Sequence, residues 1–193
     1  MRKKRIAIFA SGSGTNAERI MSHFQDHDFG EVSIVLSNKP NALVLQRSDR
    51  FNVSTRVFDR YTFYNTCEIQ DLLQELKISL IVLAGFLWLI PQDLISAFPG
   101  RIINIHPALL PEYGGKGMYG NRVHEAVISN GDKESGISIH YVNEIYDEGE
   151  IILQEKCEVR PDDSPESLAE RIHNLEHHYY PLVIEKLLPG LDQ

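Results

Sequence analysis

At 193 residues, 42% hydrophobic and 24% charged, the chain is long enough to bury a full core and fits one domain over residues 1–193. Its formal net charge of -8 argues against a nucleic-acid or anionic-membrane surface and favours small-molecule chemistry, with room left for a local basic pocket that takes a phosphate. Cys67 and Cys157 stand at no metal or redox spacing and read as buried free thiols, and no apolar run approaches the ~20 residues of a spanning helix, so a cytoplasmic protein is expected, with neither membrane nor nucleic acid as partner.

In chain order, the basic Met1-Arg2-Lys3-Lys4-Arg5 precedes Ile6–Ala10, an apolar run too short for a signal-peptide core and read as a buried strand. Ser11-Gly12-Ser13-Gly14-Thr15-Asn16 makes a tight turn into a helix over Ala17–His27. Val32–Leu36 is the next strand, followed by a helix over Asn41–Asp49 and a strand over Val53–Phe58. The 3.6 period of Phe63, Ile69, Leu72, Leu73 and Leu76 predicts one amphipathic helix over Thr62–Leu76 before the strand Leu80–Ala84. An apolar loop, Gly85–Pro91, and a short helix reaching Phe98 lead to a fifth strand that ends at Asn104-Ile105-His106, where Pro107 stops it. Strands that alternate with helices and read as unbroken apolar runs predict an α/β fold with a doubly wound, mostly parallel sheet.

The pattern then changes. Leu110–Asn121 is a Gly-rich loop, and a helix covers His124–Ser129. Gly136–Val142 alternates apolar and polar residues and pairs with Ile151–Leu153 as a C-terminal antiparallel hairpin. Ser164-Pro165 starts a final long helix with the buried stripe Leu168, Ile172, Leu175, Tyr179 and Leu182.

Three stretches carry chemistry. The glycines of Gly12–Asn16 let backbone N–H groups approach an anion at a helix N-terminus. The loop mimics a dinucleotide fingerprint, but the second strand ends in Ser37-Asn38 without the acid that takes a ribose hydroxyl, so a monophosphate suits it better than NAD. Asn104 and His106, two apart on a strand, share one face, and an amide donor beside an imidazole suits acyl transfer through a tetrahedral intermediate. The carboxylate to orient that imidazole is expected to be Asp147, in a turn where Gly149 permits an unusual backbone path. Taken singly, each feature is compatible with a bland role: an unliganded turn, a structural histidine, an exposed acidic turn.

Taken jointly, Ser11–Asn16, Ala84-Gly85-Phe86, Asn104–Pro111, Asp147-Glu148-Gly149 and Leu175-Glu176-His177 resemble the folate-dependent formyltransferases, over nearly the whole chain. The resemblance implies a Rossmann-like formyltransferase fold and transfer of a formyl group from 10-formyltetrahydrofolate to the amine of glycinamide ribonucleotide, with no metal. It implies Asn104, protonated His106 and Asp147 as the catalytic set. It places the nucleotide on Gly12, Ser13, Gly14, Thr15 and Asn16, with Glu176 on the ribose from the edge of the final helix's stripe. The folate falls against Leu87, Trp88, Leu89, Ile90, Asn104 and the turn Asn143, Glu144, Ile145, Tyr146, Asp147, with Arg60 reaching its glutamate tail. The partners implied are small molecules, and the assembly a monomer or homodimer.

Two departures stand out: Trp88 occupies a position where members often carry Arg, and Gly114–Gly120 differs from the commoner Pro-Gly-containing loop, whose expected job is a mobile cover. His124 and His140 are secondary candidates, His140 the stronger by family position. A formyltransferase for another amine, a hydrolase of the same folate and a non-catalytic nucleotide-binding module are the rival readings.

Overall fold

The computed structural model describes residues 3–191. Seven strands form one sheet: β1 (Lys4–Phe9), β2 (Gly30–Ser37), β3 (Ser54–Val57), β4 (Ile78–Leu83), β5 (Ile102–His106), β6 (Glu134–Tyr141) and β7 (Ile151–Glu158). Their spatial order is β3-β2-β1-β4-β5-β6-β7. β1 to β5 run parallel, whereas β6 pairs antiparallel with both β5 and β7. The expected doubly wound sheet with its C-terminal hairpin is therefore present.

The apolar runs are explained by burial on both faces. In β1 and β4, Ile6, Ile8, Leu80 and Val82 enter one core layer, and Ala7, Phe9, Ile81 and Leu83 enter the other. The first layer is covered by α1 (Thr15–Phe24), α2 (Leu43–Asp49), α6 (Asn121–Asn130) and α7 (Pro165–Leu187); the second by α3 (Arg60–Asn65), α4 (Glu68–Glu75) and α5 (Gln92–Ala97). Side chains alternate across a strand, so a strand with helices on both sides has no face left for polar residues.

Four expectations are corrected. The single helix over Thr62–Leu76 is two, because Thr66 turns extended and its Oγ1 bonds both Thr62 O (2.8 Å) and Glu68 N (3.3 Å), closing α3 and opening α4. α1 stops at Phe24, short of His27. On α7 the buried stripe is Leu168, Ile172, Glu176, Tyr180, Val183 and Ile184, while Leu182 is 43% exposed and Leu175 and Tyr179 are half-buried. The i+4 steps from Ile172 pass through Glu176 and Tyr180, polar residues that hid the stripe. Finally, Cys67 is exposed in the junction before α4 and Cys157 is half-buried on an edge strand.

Tyr180, wholly buried, ties α7 to the sheet where the site lies. Its hydroxyl hydrogen faces the carbonyls of Leu83 (2.9 Å) and Ile103 (3.3 Å), next to Ala84 and Asn104 at the ends of neighbouring strands. Tyr180→Phe, which removes only that donor from a buried environment, is expected to lower the unfolding free energy by roughly 1–2 kcal/mol in urea denaturation.

Candidate active site

From β1 the chain winds outward through β2 and β3, and from β4 it winds the other way through β5. The loops after β1 and β4 therefore part, and ligands of open α/β sheets bind in the crevice so formed. A cleft of roughly 550 Å³ lies there, reached by the loop after β1, the loop after β4, the end of β5, the Gly115–Gly120 segment and the 143–147 turn.

At one end of the cleft stand Gly12, Ser13, Gly14, Thr15, Asn16 and Glu176. Gly14 caps α1 with φ 73°, and a Cβ there would lie 2.4 Å from Val44 Cγ2, so no other residue fits the turn. The helix has no side-chain cap, which leaves its first N–H groups to the cleft. Arg47 braces the loop by donating from Nε to Ser13 O (2.8 Å) and pairing with Glu18. Asn16 Nδ2 donates to Glu176 Oε2 (2.9 Å), joining two residues 160 apart, and Asn16 Oδ1 is buried without a partner. Burial raises the Glu176 carboxyl pKa, opposed by the Asn16 hydrogen bond and by His173. Lys116, Arg122 and His173 also line the cleft and had no sequence signal beyond their neighbourhood.

In the middle, Asn104, His106, His140 and Asp147 meet. Antiparallel pairing sets Asn104 opposite His140 and His106 opposite Ser138. His106 Nε2 donates to Tyr113 O (2.8 Å), which fixes the tautomer and leaves Nδ1 facing Asp147 Oδ2 at 3.5 Å. His140 Nδ1 donates to Tyr141 O (2.8 Å), so its Nε2 accepts from Asn104 Nδ2 (3.2 Å); the same amide reaches Asp147 Oδ1 at 3.4 Å. Asp147 itself sits at φ 58°, a left-handed conformation that Asp tolerates better than most side chains, and accepts from Gly115 N (2.9 Å). The unusual backbone path is thus at Asp147. Gly149 is needed for space instead, since a Cβ there would lie 1.6 Å from Tyr141 O.

Burial lowers the His106 pKa below its ordinary 6.5 by more than Asp147 and the Tyr113 carbonyl raise it. Burial thus disfavours the charged imidazole that the resemblance implies, while Asp147 and the Tyr113 carbonyl favour it. For Asp147, burial is the largest influence and pushes upward, but His140, His106 and the Gly115 N–H together pull its pKa below 3.8. Asp147 is therefore ionised at neutral pH.

The far end is apolar. Leu87, Trp88, Leu89, Ile90, Asn143, Ile145 and Tyr146 line it. Ser11 Oγ accepts from Leu87 N (3.2 Å), and Tyr64 OH donates to Leu89 O (2.9 Å), fixing the loop after β4 at both ends. Two expected residues are not in the lining, Glu144 and Arg60. Glu144 points out of a turn braced by Asn143 Oδ1, which accepts from Ile145 N (3.0 Å), and is exposed. Arg60 is exposed, its guanidinium 5.0 Å from the Tyr64 ring centroid and 5.7 Å from that of Trp88.

His140 is the main residue of this cluster that sequence reasoning left out of the catalytic set. His124, also in the lining, is buried, and burial first, then His173 and His106, push its pKa down to about 4. An unfolded chain binds a proton at His124 near pH 6.5 and the folded one does not until about 4, so this residue's contribution to stability is lost as pH falls through that window. His124→Gln should remove on the order of 3 kcal/mol of acid destabilisation between about pH 7 and pH 4, measured as the difference in urea unfolding free energy. Gly149→Ala, by displacing the carbonyl that holds His140, should lower both the thermal midpoint and the turnover in the same preparation.

The formyl transferase family model matches residues 4–184. The chain is 39% identical over 189 residues to the chloroplastic phosphoribosylglycinamide formyltransferase of Arabidopsis thaliana, covering 95% of this chain and 65% of that protein. A second plant relative, from Vigna unguiculata, is spanned over 62% of its length, so the chain covers just under two thirds of these two proteins. Against the phosphoribosylglycinamide formyltransferase of Bacillus subtilis, identity is 36% over 190 residues, with 96% of this chain and 95% of that protein covered. The crystal structure of phosphoribosylglycinamide formyltransferase from Bacillus halodurans superposes with a TM-score of 0.85 at 38% identity, covering 96% of this chain and 95% of that one. The match over residues 4–184 and these similarities in sequence and structure place the chain in the formyl transferase family.

Proposed function

We propose that the chain transfers the formyl group of 10-formyltetrahydrofolate to the amine of glycinamide ribonucleotide, giving formylglycinamide ribonucleotide and tetrahydrofolate in purine biosynthesis. The observation that carries this reading is the position of Asn104, His106 and Asp147 between an anion-binding turn and an apolar slot in one cleft. Relatives named phosphoribosylglycinamide formyltransferase support it. In this reading the phosphate rests on the backbone of Gly12–Asn16, the ribose approaches Glu176, and the pterin lies against Leu87–Ile90 and the 143–147 turn.

The neutral amine attacks the formyl carbon, and the carbonyl electron pair moves onto oxygen. The Asn104 amide supplies a donor to that oxygen by redirecting the hydrogen now aimed at Asp147, the longer of its two contacts. His106 Nδ1, neutral beforehand, accepts the amine's proton, and ionised Asp147 stabilises the imidazolium so formed. As the C=O bond re-forms, the bond from carbon to folate N10 breaks, and the proton is returned to N10 through His106 or a water held by Asp147. The proposed steps call on no metal. One domain carries the whole site, on one continuous sheet. Among the described residues no helix is long and apolar enough to cross a membrane, and we place the protein in the cytoplasm, as monomer or homodimer.

Incubating the purified protein with 10-formyltetrahydrofolate, with and without glycinamide ribonucleotide, while following folate absorbance tests the proposal. Turnover only with the nucleotide is expected; turnover without it would select a hydrolase, and none with both would leave a binding module. His106→Ala and Asp147→Asn are expected to lose most turnover with the fold retained, and near wild-type rates in either would sink the assigned roles. Asn104→Ala should lower kcat by about 10²–10³ while substrate binding persists.

A further inference from the structure

A second cluster of ligand atoms lies on the seam between α1 and α7, outside the cleft. His23, in the last turn of α1, and His27, just beyond it, turn their Nε2 atoms to the two oxygens of one α7 carboxylate, Glu185. The distances are 2.7 Å from His23 to Oε2 and 3.5 Å from His27 to Oε1, and one ligand atom from each of the three residues lies within 4.8 Å of the others. From this geometry we infer that His23, His27 and Glu185 form a binding site for a divalent transition metal of the zinc class, separate from the active site.

The donor set decides the class of ion. Two imidazole nitrogens and one carboxylate oxygen suit zinc and its neighbours, whereas magnesium and calcium prefer all-oxygen shells. Tetrahedral zinc, with bonds of ~2.0–2.2 Å, needs donors about 3.3 Å apart. The two observed separations bracket that spacing, and the third, between the two imidazoles, is within 4.8 Å. The rings are already held: His23 and His27 stack at 5.7 Å, Phe24 packs edge-on against both at 4.9 Å, and Phe29 packs against His27 at 4.3 Å. His27 Nδ1 is buried with no hydrogen-bond partner, so Nε2 is the atom that ties this ring to polar surroundings. The three side chains remain 15–36% exposed, which gives the ion an entry path and leaves a fourth position for water.

Metal here replaces the proton that His23 and Glu185 now share and staples the C-terminal end of α1 to α7. These two helices also carry Asn16 and Glu176, the hydrogen-bonded pair at the nucleotide end of the cleft. The inference rests on helix packing and does not depend on the proposed formyl transfer.

The test is calorimetric titration of zinc chloride into the untagged, metal-stripped full chain near neutral pH, with thermal unfolding followed in parallel and cobalt substitution read by its visible absorption. One zinc per chain and an upward shift of the unfolding midpoint are expected. His23→Gln and Glu185→Gln should each bind at least about tenfold more weakly and lose the cobalt bands, with turnover in metal-free buffer unchanged. Failure of the wild type to bind zinc would overturn the site whether or not the variants fold. Binding as tight in both variants as in the wild type would also overturn it, by placing the ion elsewhere.

Discussion

An ionised carboxylate with a side chain only 9% exposed is the constraint on which the rest of the site depends. A buried charge is tolerable only when it is paired and hydrogen-bonded, and Asp147 collects its partners from three separate stretches of chain. Asn104 and His106 come from β5, His140 from β6 and the Gly115 N–H from the loop that follows β5. Each needs its own support. Ser138, opposite His106 in the ladder, bonds Leu110 N (2.9 Å) and Ala108 O (2.7 Å), and Gln154 on β7 bonds Leu110 O (2.9 Å), so two outer strands hold the turn after His106 in place. The antiparallel end of the sheet exists, in effect, to bring partners to one carboxylate.

The parallel end does different work. Its strands deliver two loops, after β1 and β4, to either side of the point where the winding reverses, and the helix dipole of α1 and the apolar rim after β4 face each other across it. A charged fragment and a flat apolar one can therefore be held in one cleft without either crossing the other's ground, with the polar cluster between them.

Much of this was legible in the sequence because burial on two faces writes strands as apolar runs, and because a strand ending in Asn104-Ile105-His106 before Pro107 must present its polar residues at a sheet end. What was not legible depended on register, packing or dielectric. His140 joins the cluster only through its pairing with Asn104, and single-strand patterning carries no register. The break at Thr66 is a side-chain hydrogen bond inside a periodic segment, which periodicity averages away. Glu176 was placed at the stripe's edge and lies in its middle, because its bond to Asn16 lets a carboxyl occupy a core position. The dielectric around His106 is likewise not written in the sequence: burial lowers its pKa against the pull of Asp147. The stacking of Arg60 on Tyr64 and Trp88 is a packing contact that no sequence pattern carries.

The hydrogen bond from Gly115 to Asp147 links a glycine-rich segment to a proton equilibrium. Gly115 N–H is one of the influences that keep the carboxylate ionised, so its withdrawal raises the proton affinity of Asp147. Linkage makes the relation reciprocal: protonating Asp147 loosens the segment by the same free energy with which the segment holds the proton away. Position of the loop and charge on Asp147 are thus a single thermodynamic variable read at two places, and anything that moves one reports on the other.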